Sequence, residues 1–322
     1  MLAVLATTFP FFALVLCGWL AAERGPLPDS AIPGLNGFVL FFALPCLLFR
    51  FGRDTPVLEL LNPALLGVYV ASALLIVFFT VAVTLSPRVG MKDAALGALV
   101  AAFPNTGFMG VPLIVALLGS ASAGVVISTI LADLFVTSSV CIALARAGTN
   151  LRAERAAFVQ ALKAAGSNPL PWAIAAGAAV GALDLQLPGP LNKTVAMLAD
   201  AASPVALFTI GAVLSRSGRA NRAAGRVTPP SLYLPVAAIK LLLHPALVFA
   251  LAASARWLGA PLSQGQLIAL TLAAALPSAS NVSLLAERYG ADNGRIARII
   301  LASTALAFLT FSGLAAILIS AS

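Results

Sequence analysis

The run FPNTGFMGVP, residues 103–112, interrupts the middle of an apolar stretch that extends over 93–118. Pro104 has no backbone N–H to give to a helix, and Asn105, Thr106 and Gly107 favour caps and turns over helix interiors, so a helix entering this run must end in it. Gly110 and Pro112 extend the weak region by another turn. A stretch long enough to cross a bilayer but broken at its midpoint leaves N–H and C=O groups unpaired where water is absent. Protein or ligand must then satisfy them.

A second run, LPSASN at 276–281, breaks the apolar stretch 264–287 in the same way, through Pro277, Ser278, Ser280 and Asn281. The approaches to the two breaks also match: Ala101-Ala102-Phe103-Pro104 stands 173 residues before Ala274-Ala275-Leu276-Pro277. Elsewhere Pro45, Leu48, Phe49 and Gly52 match Pro204, Leu207, Phe208 and Gly211 at an offset of 159. The offset grows because the loop after the seventh apolar stretch is longer than the one after the second. Paired breaks at equivalent places in two halves point to the binding site of a transporter.

Only 9% of the 322 residues are charged and 61% are hydrophobic, against about 25% charged in soluble domains, so a soluble fold could not cover its surface. Apolar runs bounded by charges, Gly or Pro predict ten helical spans, about 3–22, 31–50, 62–86, 93–118, 123–145, 169–187, 191–215, 231–256, 264–287 and 295–320. The expected fold is an all-α integral membrane protein: a five-helix repeat over 1–145, a cytoplasmic basic linker over 146–168 and a second five-helix repeat over 169–322. Five is odd, so the two repeats must sit in the membrane with opposite orientations, as in secondary transporters.

The formal charge of +8 lies between the spans, not on one face, and reads as membrane topology; no nucleic-acid partner is expected. Of 19 Lys and Arg, 14 fall in one set of loops, four in the other, and Lys240 inside a span, which places both termini outside the cytoplasmic membrane. The basic amphipathic stretch Arg152 to Lys163 reads as a solvated or lipid-surface helix, with membrane lipids as partners. The first apolar run has no basic region ahead of it and reads as a retained span. Cys17, Cys46 and Cys141 all fall inside spans, so neither a disulfide framework nor a metal site is expected, and no cofactor.

At each break the following half-helix begins with free N–H groups and a positive dipole end, which favour an anion such as a carboxylate. The preceding half-helix ends in carbonyls, which suit a proton donor or a cation. Substrate-binding candidates are therefore Pro104, Asn105, Thr106 and Gly107 in the first break and Pro277, Ser278, Ser280 and Asn281 in the second. Ionisable residues inside spans add Lys240, Asp133, Asp200 and His244, the last standing four residues from Lys240 on one helical face. Two readings stay open. Lys240 and Asp133 neutralise each other as a structural pair, or Lys240 snorkels to the surface. In the other reading Lys240 offers positive potential to an anionic substrate while Asp133 or Asp200 carries a proton or cation, with His244 as a proton shuttle.

FPNTGFMGVPL from Phe103, LPSASN followed by Ala286 and Tyr289-Gly290, ASPVALFTIG from Ala202, and Lys240 with Pro245 together resemble the auxin efflux carrier family. That family includes bacterial malonate-type carriers and plant auxin exporters, within the bile-acid symporter superfamily, and this chain is similar to a short bacterial member. The resemblance implies a scaffold and a transport domain, broken helices crossing at the substrate site, and elevator-type alternating access. It aligns Asn105 with the asparagine that contacts the substrate carboxylate region, and Pro277 with the second crossover. The long hydrophilic loop of the plant members is missing, as is the acidic and polar cluster that sodium sites require; Asp133 and His244 have no clear counterpart.

The function expected is a secondary transporter or facilitator of small organic anions, mono- or dicarboxylates of malonate or auxin type, working in efflux; a homodimer is compatible with the sequence. Sodium- or proton-coupled symport of bile-acid-symporter type is the alternative. An intramembrane enzyme would need a paired serine and histidine or two aspartates in one cleft, and neither Asp133 nor Asp200 sits in a glycine-aspartate motif. A membrane receptor would bind ligand without flux, and no partner domain accompanies these spans.

Overall fold

A computed structural model of the chain describes residues 2–56, 62–146, 166–223 and 228–320, so the basic stretch Arg152 to Lys163 lies outside the described residues. The described chain is helical: α1 (Leu2–Arg24), α2 (Asp29–Asp54), α3 (Pro63–Thr84), α4 (Met91–Ala102), α5 (Thr106–Leu118), α6 (Ser120–Ala145), α7 (Pro169–Ala182), α8 (Gly189–Ala223), α9 (Leu234–Trp257), α10 (Gln264–Ala275), α11 (Val282–Arg288) and α12 (Asn293–Ser320). Seven of these, α1, α2, α3, α6, α8, α9 and α12, are long and apolar enough to cross a membrane. Large apolar side chains such as Phe41, Phe42, Trp172 and Leu309 face outward, as lipid contact requires.

Local chemistry sets the helix ends. Asn62 caps α3 by accepting from the N–H groups of Ala64 and Leu65, Asn168 caps α7 through Leu170, and Ser263 forms a reciprocal cap with Gln266 at α10. The two stretches with central breaks divide as expected, into α4 and α5 and into α10 and α11. Widened π-type turns occupy Val39–Ala43, Thr106–Gly110 and Ile239–Leu243, each just before a proline, Pro45, Pro112 or Pro245. The ring at each site clashes with the carbonyl four residues back, and the extra residue in the turn relieves it. A fourth widened turn, Asp133–Thr137, has no proline.

Two boundaries depart most from expectation: the sixth span, predicted to end at 187, ends as helix at Ala182. The seventh span, predicted to end at 215, continues as helix to Ala223. Arg219 and Arg222, spaced to share a face, reach back to α1 and the start of α2: Arg222 pairs with Glu23 at 2.9 Å, and Arg219 pairs with Glu23 and Asp29.

The helices pack in two groups. In one, α1 lies on α8, α7 on α2, and α8 on α2; in the other, α3 packs on α4 and α9, α4 on α6, and α10 on α9, α6 and α12. Backbone touches backbone in the first group. A Cβ at Gly18 would stand 1.8 Å from the Phe208 carbonyl oxygen, and one at Gly211 would stand 1.9 Å from that of Val15. A Cβ at Gly177 would stand 2.1 Å from the Phe49 carbonyl oxygen, and one at Gly52 would stand 2.6 Å from that of Ile174. Adding 159 to Gly18, Val15, Phe49 and Gly52 gives Gly177, Ile174, Phe208 and Gly211, so the α1–α8 contact and the α7–α2 contact are made by equivalent residues. Small residues allow this close approach where lipid supplies no hydrophobic drive between helices.

Candidate functional site

The two breaks meet. Phe103 to Asn105 run antiparallel to Pro277 to Ala279: the Asn105 N–H donates to the Pro277 carbonyl at 2.8 Å, and the Ala279 N–H donates to the Phe103 carbonyl at 3.0 Å. Each chain thus satisfies backbone groups that proline and helix termination leave open in the other. The side chain of Ser303, on α12, supports the second break from behind: its hydroxyl accepts the Ser278 N–H at 3.2 Å and lies 3.1 Å from the Ser278 hydroxyl.

Beside this junction is a small cavity of about 50 Å³, lined by Pro104, Asn105, Thr106, Gly107, Ala279 and Asn281 from the breaks and by Leu40, Leu44, Asn168 and Leu170 from the opposing group. It therefore lies between the two helix groups. Its polar lining is unfinished: Thr106 Oγ1 and Asn281 Oδ1 are buried with no hydrogen-bond partner, and the Asn105 side chain has none among the described residues. The first turn of α5 adds N–H groups that have no intrahelical carbonyl. The Thr106 N–H is already given to the Pro104 carbonyl at 2.8 Å, but its hydroxyl can donate to a carboxylate, as can the amides of Asn105 and Asn281 once their NH₂ groups face the cavity.

Other predicted residues sit around the cavity, not in its lining. Pro277 and Ser278 build the junction's backbone, and the Ser280 carbonyl accepts from the Ser283 hydroxyl at 2.9 Å. Lys240 is fully buried and reaches the second break from the far side: its Nζ donates to the Ala274 carbonyl at 2.9 Å, in the last turn of α10, and lies 3.2 Å from His244 Nδ1. A cation here meets the negative end of the half-helix.

Asp133 is also fully buried, and both its oxygens are engaged, by Tyr69 Oη at 2.7 Å and by Thr137 Oγ1 at 2.9 Å. The ring of Tyr69 faces that of His244, their centroids 6.2 Å apart. Thr137, Asp133 and Tyr69 form one buried hydrogen-bonded set and His244, Lys240 and the Ala274 carbonyl another, the two meeting only through the Tyr69 and His244 rings, and Asp133 and Lys240 make no direct ion pair within 4 Å. Asp200 stands apart. It is exposed and pairs with Arg50 at 2.6 Å, tying α8 to α2.

Tyr69, Thr137, Ser303 and Asn168 were not singled out from sequence. Tyr69 is one more aromatic in an apolar run, Thr137 and Ser303 are small polar residues inside apolar runs, and Asn168 falls just ahead of the span predicted from 169.

Comparison with known proteins gives the family. A family described as membrane transport protein matches residues 3–315. The chain is 30% identical over 316 residues to a protein of Rhizobium meliloti (strain 1021) described as "Putative malonate transporter", covering 98% of this chain and 95% of that one. A chain of apolar helices, broken and crossed beside an unfinished polar cavity, that matches over nearly its whole length belongs to the membrane transport family of auxin efflux carrier type, and is a transporter, not an enzyme.

Proposed function

We propose that the chain is a ten-span carrier of small organic anions, with malonate-like dicarboxylates as the first substrate class, held at the crossover by Asn105, Thr106, Gly107 and Asn281. The observation that carries this reading is the pair of buried, unpartnered oxygens of Thr106 and Asn281, beside the free amide of Asn105, in a cavity between two helix groups. Leaving the Thr106 hydroxyl unsatisfied costs about 1–3 kcal/mol, which a bound carboxylate removes by accepting its proton, and Asn281 joins the same ligand by turning its NH₂ group inward. The relative described as "Putative malonate transporter" supports the choice of substrate class.

The repeats, 1–145 and 169–322 on either side of the linker, are taken to be inverted; the equivalent contacts at an offset of 159 support this. The group of α1, α2, α7 and α8, locked by backbone contact, is the scaffold, and α3 to α6 with α9 to α12 are the moving unit. A space of about 50 Å³ is several times smaller than the roughly 300–1,000 Å³ of ordinary small-molecule pockets. Loading a dicarboxylate therefore requires the crossover to part from Leu40, Leu44 and Leu170, in keeping with elevator-type alternating access in a cytoplasmic membrane, both termini outside. Lys240 already places a cation at the negative end of α10, which favours sodium-independent efflux driven by the membrane potential.

A second reading, proton-coupled symport, draws support from the buried groups of Asp133, Tyr69 and His244 and from His244 Nε2, which is buried without a partner. Counterflow in proteoliposomes with a panel of labelled mono- and dicarboxylates, with and without sodium and pH gradients, tests both. Malonate exchange indifferent to either gradient supports the first reading. Exchange that follows the pH gradient supports the second, and no carboxylate exchange at all sinks both.

A further inference from the structure

Arg298 lies on α12, one turn beyond Arg295. Arg295 is buried and engaged: its Nε donates to the Leu232 carbonyl at 2.9 Å and its Nη1 to that of Asp93 at 2.8 Å. Arg298 is not engaged in this way. Its Nε is buried with no hydrogen-bond partner, and none of the ion pairs among the described residues includes it. Together with Arg222 and Ser217 of α8 it lines a cavity of about 180 Å³ between α8 and α12.

Leu214 and Leu301, in the wall of that cavity, also line a larger apolar groove of about 540 Å³ between α1 and α12, bounded by Phe9, Leu16, Ala305 and Phe308. The two hollows adjoin at Leu214 and Leu301, and read together they make a crevice with a guanidinium end and a hydrocarbon end. From Arg298 to Phe308 the crevice runs along ten residues of α12, about 15 Å at 1.5 Å per residue. Phe9 and Leu16 at its apolar end are more than half exposed. Nearby acids do not cancel the charge, because Glu23 and Asp29 are already shared between Arg219 and Arg222, which leaves Arg298 unanswered.

An occupant must combine an anionic head with an apolar tail of at least this length and must reach the crevice from the bilayer. We propose that the crevice between α1, α8 and α12 is a binding site for an anionic phospholipid, its phosphate between Arg298 and Arg222 and one acyl chain lying along α12 toward Phe308. Basic pockets between membrane helices on the cytoplasmic side bind such headgroups, and the basic excess of the sequence puts this end of α12 there. The lipid would touch α1 and α8 of one helix group and α12 of the other, so it is placed to affect their relative movement. The site is independent of the substrate assigned to the crossover.

Native mass spectrometry of the full-length purified protein, titrated with phosphatidylglycerol or with phosphatidylcholine of the same acyl chains, tests the site. The wild type retains phosphatidylglycerol in preference to phosphatidylcholine. Arg298→Gln weakens phosphatidylglycerol about fivefold, the effect of about 1 kcal/mol for one basic residue facing an anionic lipid. Ala305→Trp, which fills the exposed apolar end and leaves both arginines in place, lowers retention as well, and glycerol phosphate without acyl chains does not compete. Equal retention of the two lipids, unchanged retention in Arg298→Gln or in Ala305→Trp, or competition by glycerol phosphate overturns the proposal.

Discussion

Asn105 and Pro277, 172 positions apart in the chain, are joined by their backbones, the N–H of the first donating to the carbonyl of the second at 2.8 Å. This bond and its partner from Ala279 to Phe103 pair two N–H and two C=O groups that the helix ends would otherwise leave open at the crossing point. Because backbone satisfies backbone, the side chains of Asn105, Thr106 and Asn281 are left free. In the proposed function these are the groups that meet the substrate.

Ser303 makes that junction testable from outside the cavity. Ser303→Ala removes the acceptor of the buried Ser278 N–H, which costs about 1–3 kcal/mol. The expected result is a lower midpoint in a detergent thermal-unfolding assay, with Ser303→Thr, which keeps the hydroxyl, closer to the wild type.

Lys240 and Asp133 would behave as a structural pair if each existed to neutralise the other: removing both would then restore what removing one destroys. The geometry predicts otherwise, because Lys240 is bonded to the Ala274 carbonyl and Asp133 to Tyr69 and Thr137. Lys240→Met is expected to lower stability by about 1–3 kcal/mol, and adding Asp133→Asn should not recover it. Unfolding midpoints of the two single variants and the double variant give the answer.

Gly211 and Gly18 are contact points with no room for a side chain. Gly211→Ala and Gly18→Ala, and equally their counterparts Gly52→Ala and Gly177→Ala, push a methyl group into a backbone carbonyl. Each should destabilise by about 1–3 kcal/mol or more. Gly67→Ala and Gly313→Ala, where a Cβ meets open space, should leave the midpoint unchanged in the same assay.

Asp200 was a coupling candidate in the sequence, and its pair with Arg50 is exposed. Exposed pairs contribute at most about 1 kcal/mol. Asp200→Asn should therefore leave carboxylate exchange and its response to a pH gradient within error of wild type, as measured by counterflow.

The parts of the fold most legible in the sequence were those where one residue type has one physical consequence. Proline with Asn, Thr, Ser and Gly clustered after it in the middle of an apolar stretch favours a break, so both breaks were readable at Pro104 and Pro277, while their crossing was what the family resemblance implied. The match of Gly52 to Gly211 was visible too, but that each is pressed against a carbonyl of another helix depends on three-dimensional approach and leaves no mark of its own. Partners that are backbone atoms are equally silent: nothing near Lys240 names the carbonyl of Ala274. The extension of α8 to Ala223 was missed because arginines there read as loop, whereas their three-residue spacing aims them at Glu23 and Asp29.

Equilibrium binding of labelled malonate to the purified protein, wild type against Asn105→Ala, bears most directly on the crossover as the substrate site. The amide of Asn105 is expected to supply a hydrogen bond to a charged carboxylate, about 1.5–3 kcal/mol, so the variant should bind at least about tenfold more weakly while keeping the wild-type unfolding midpoint. Saturable binding of equal affinity in the two proteins would contradict the assignment.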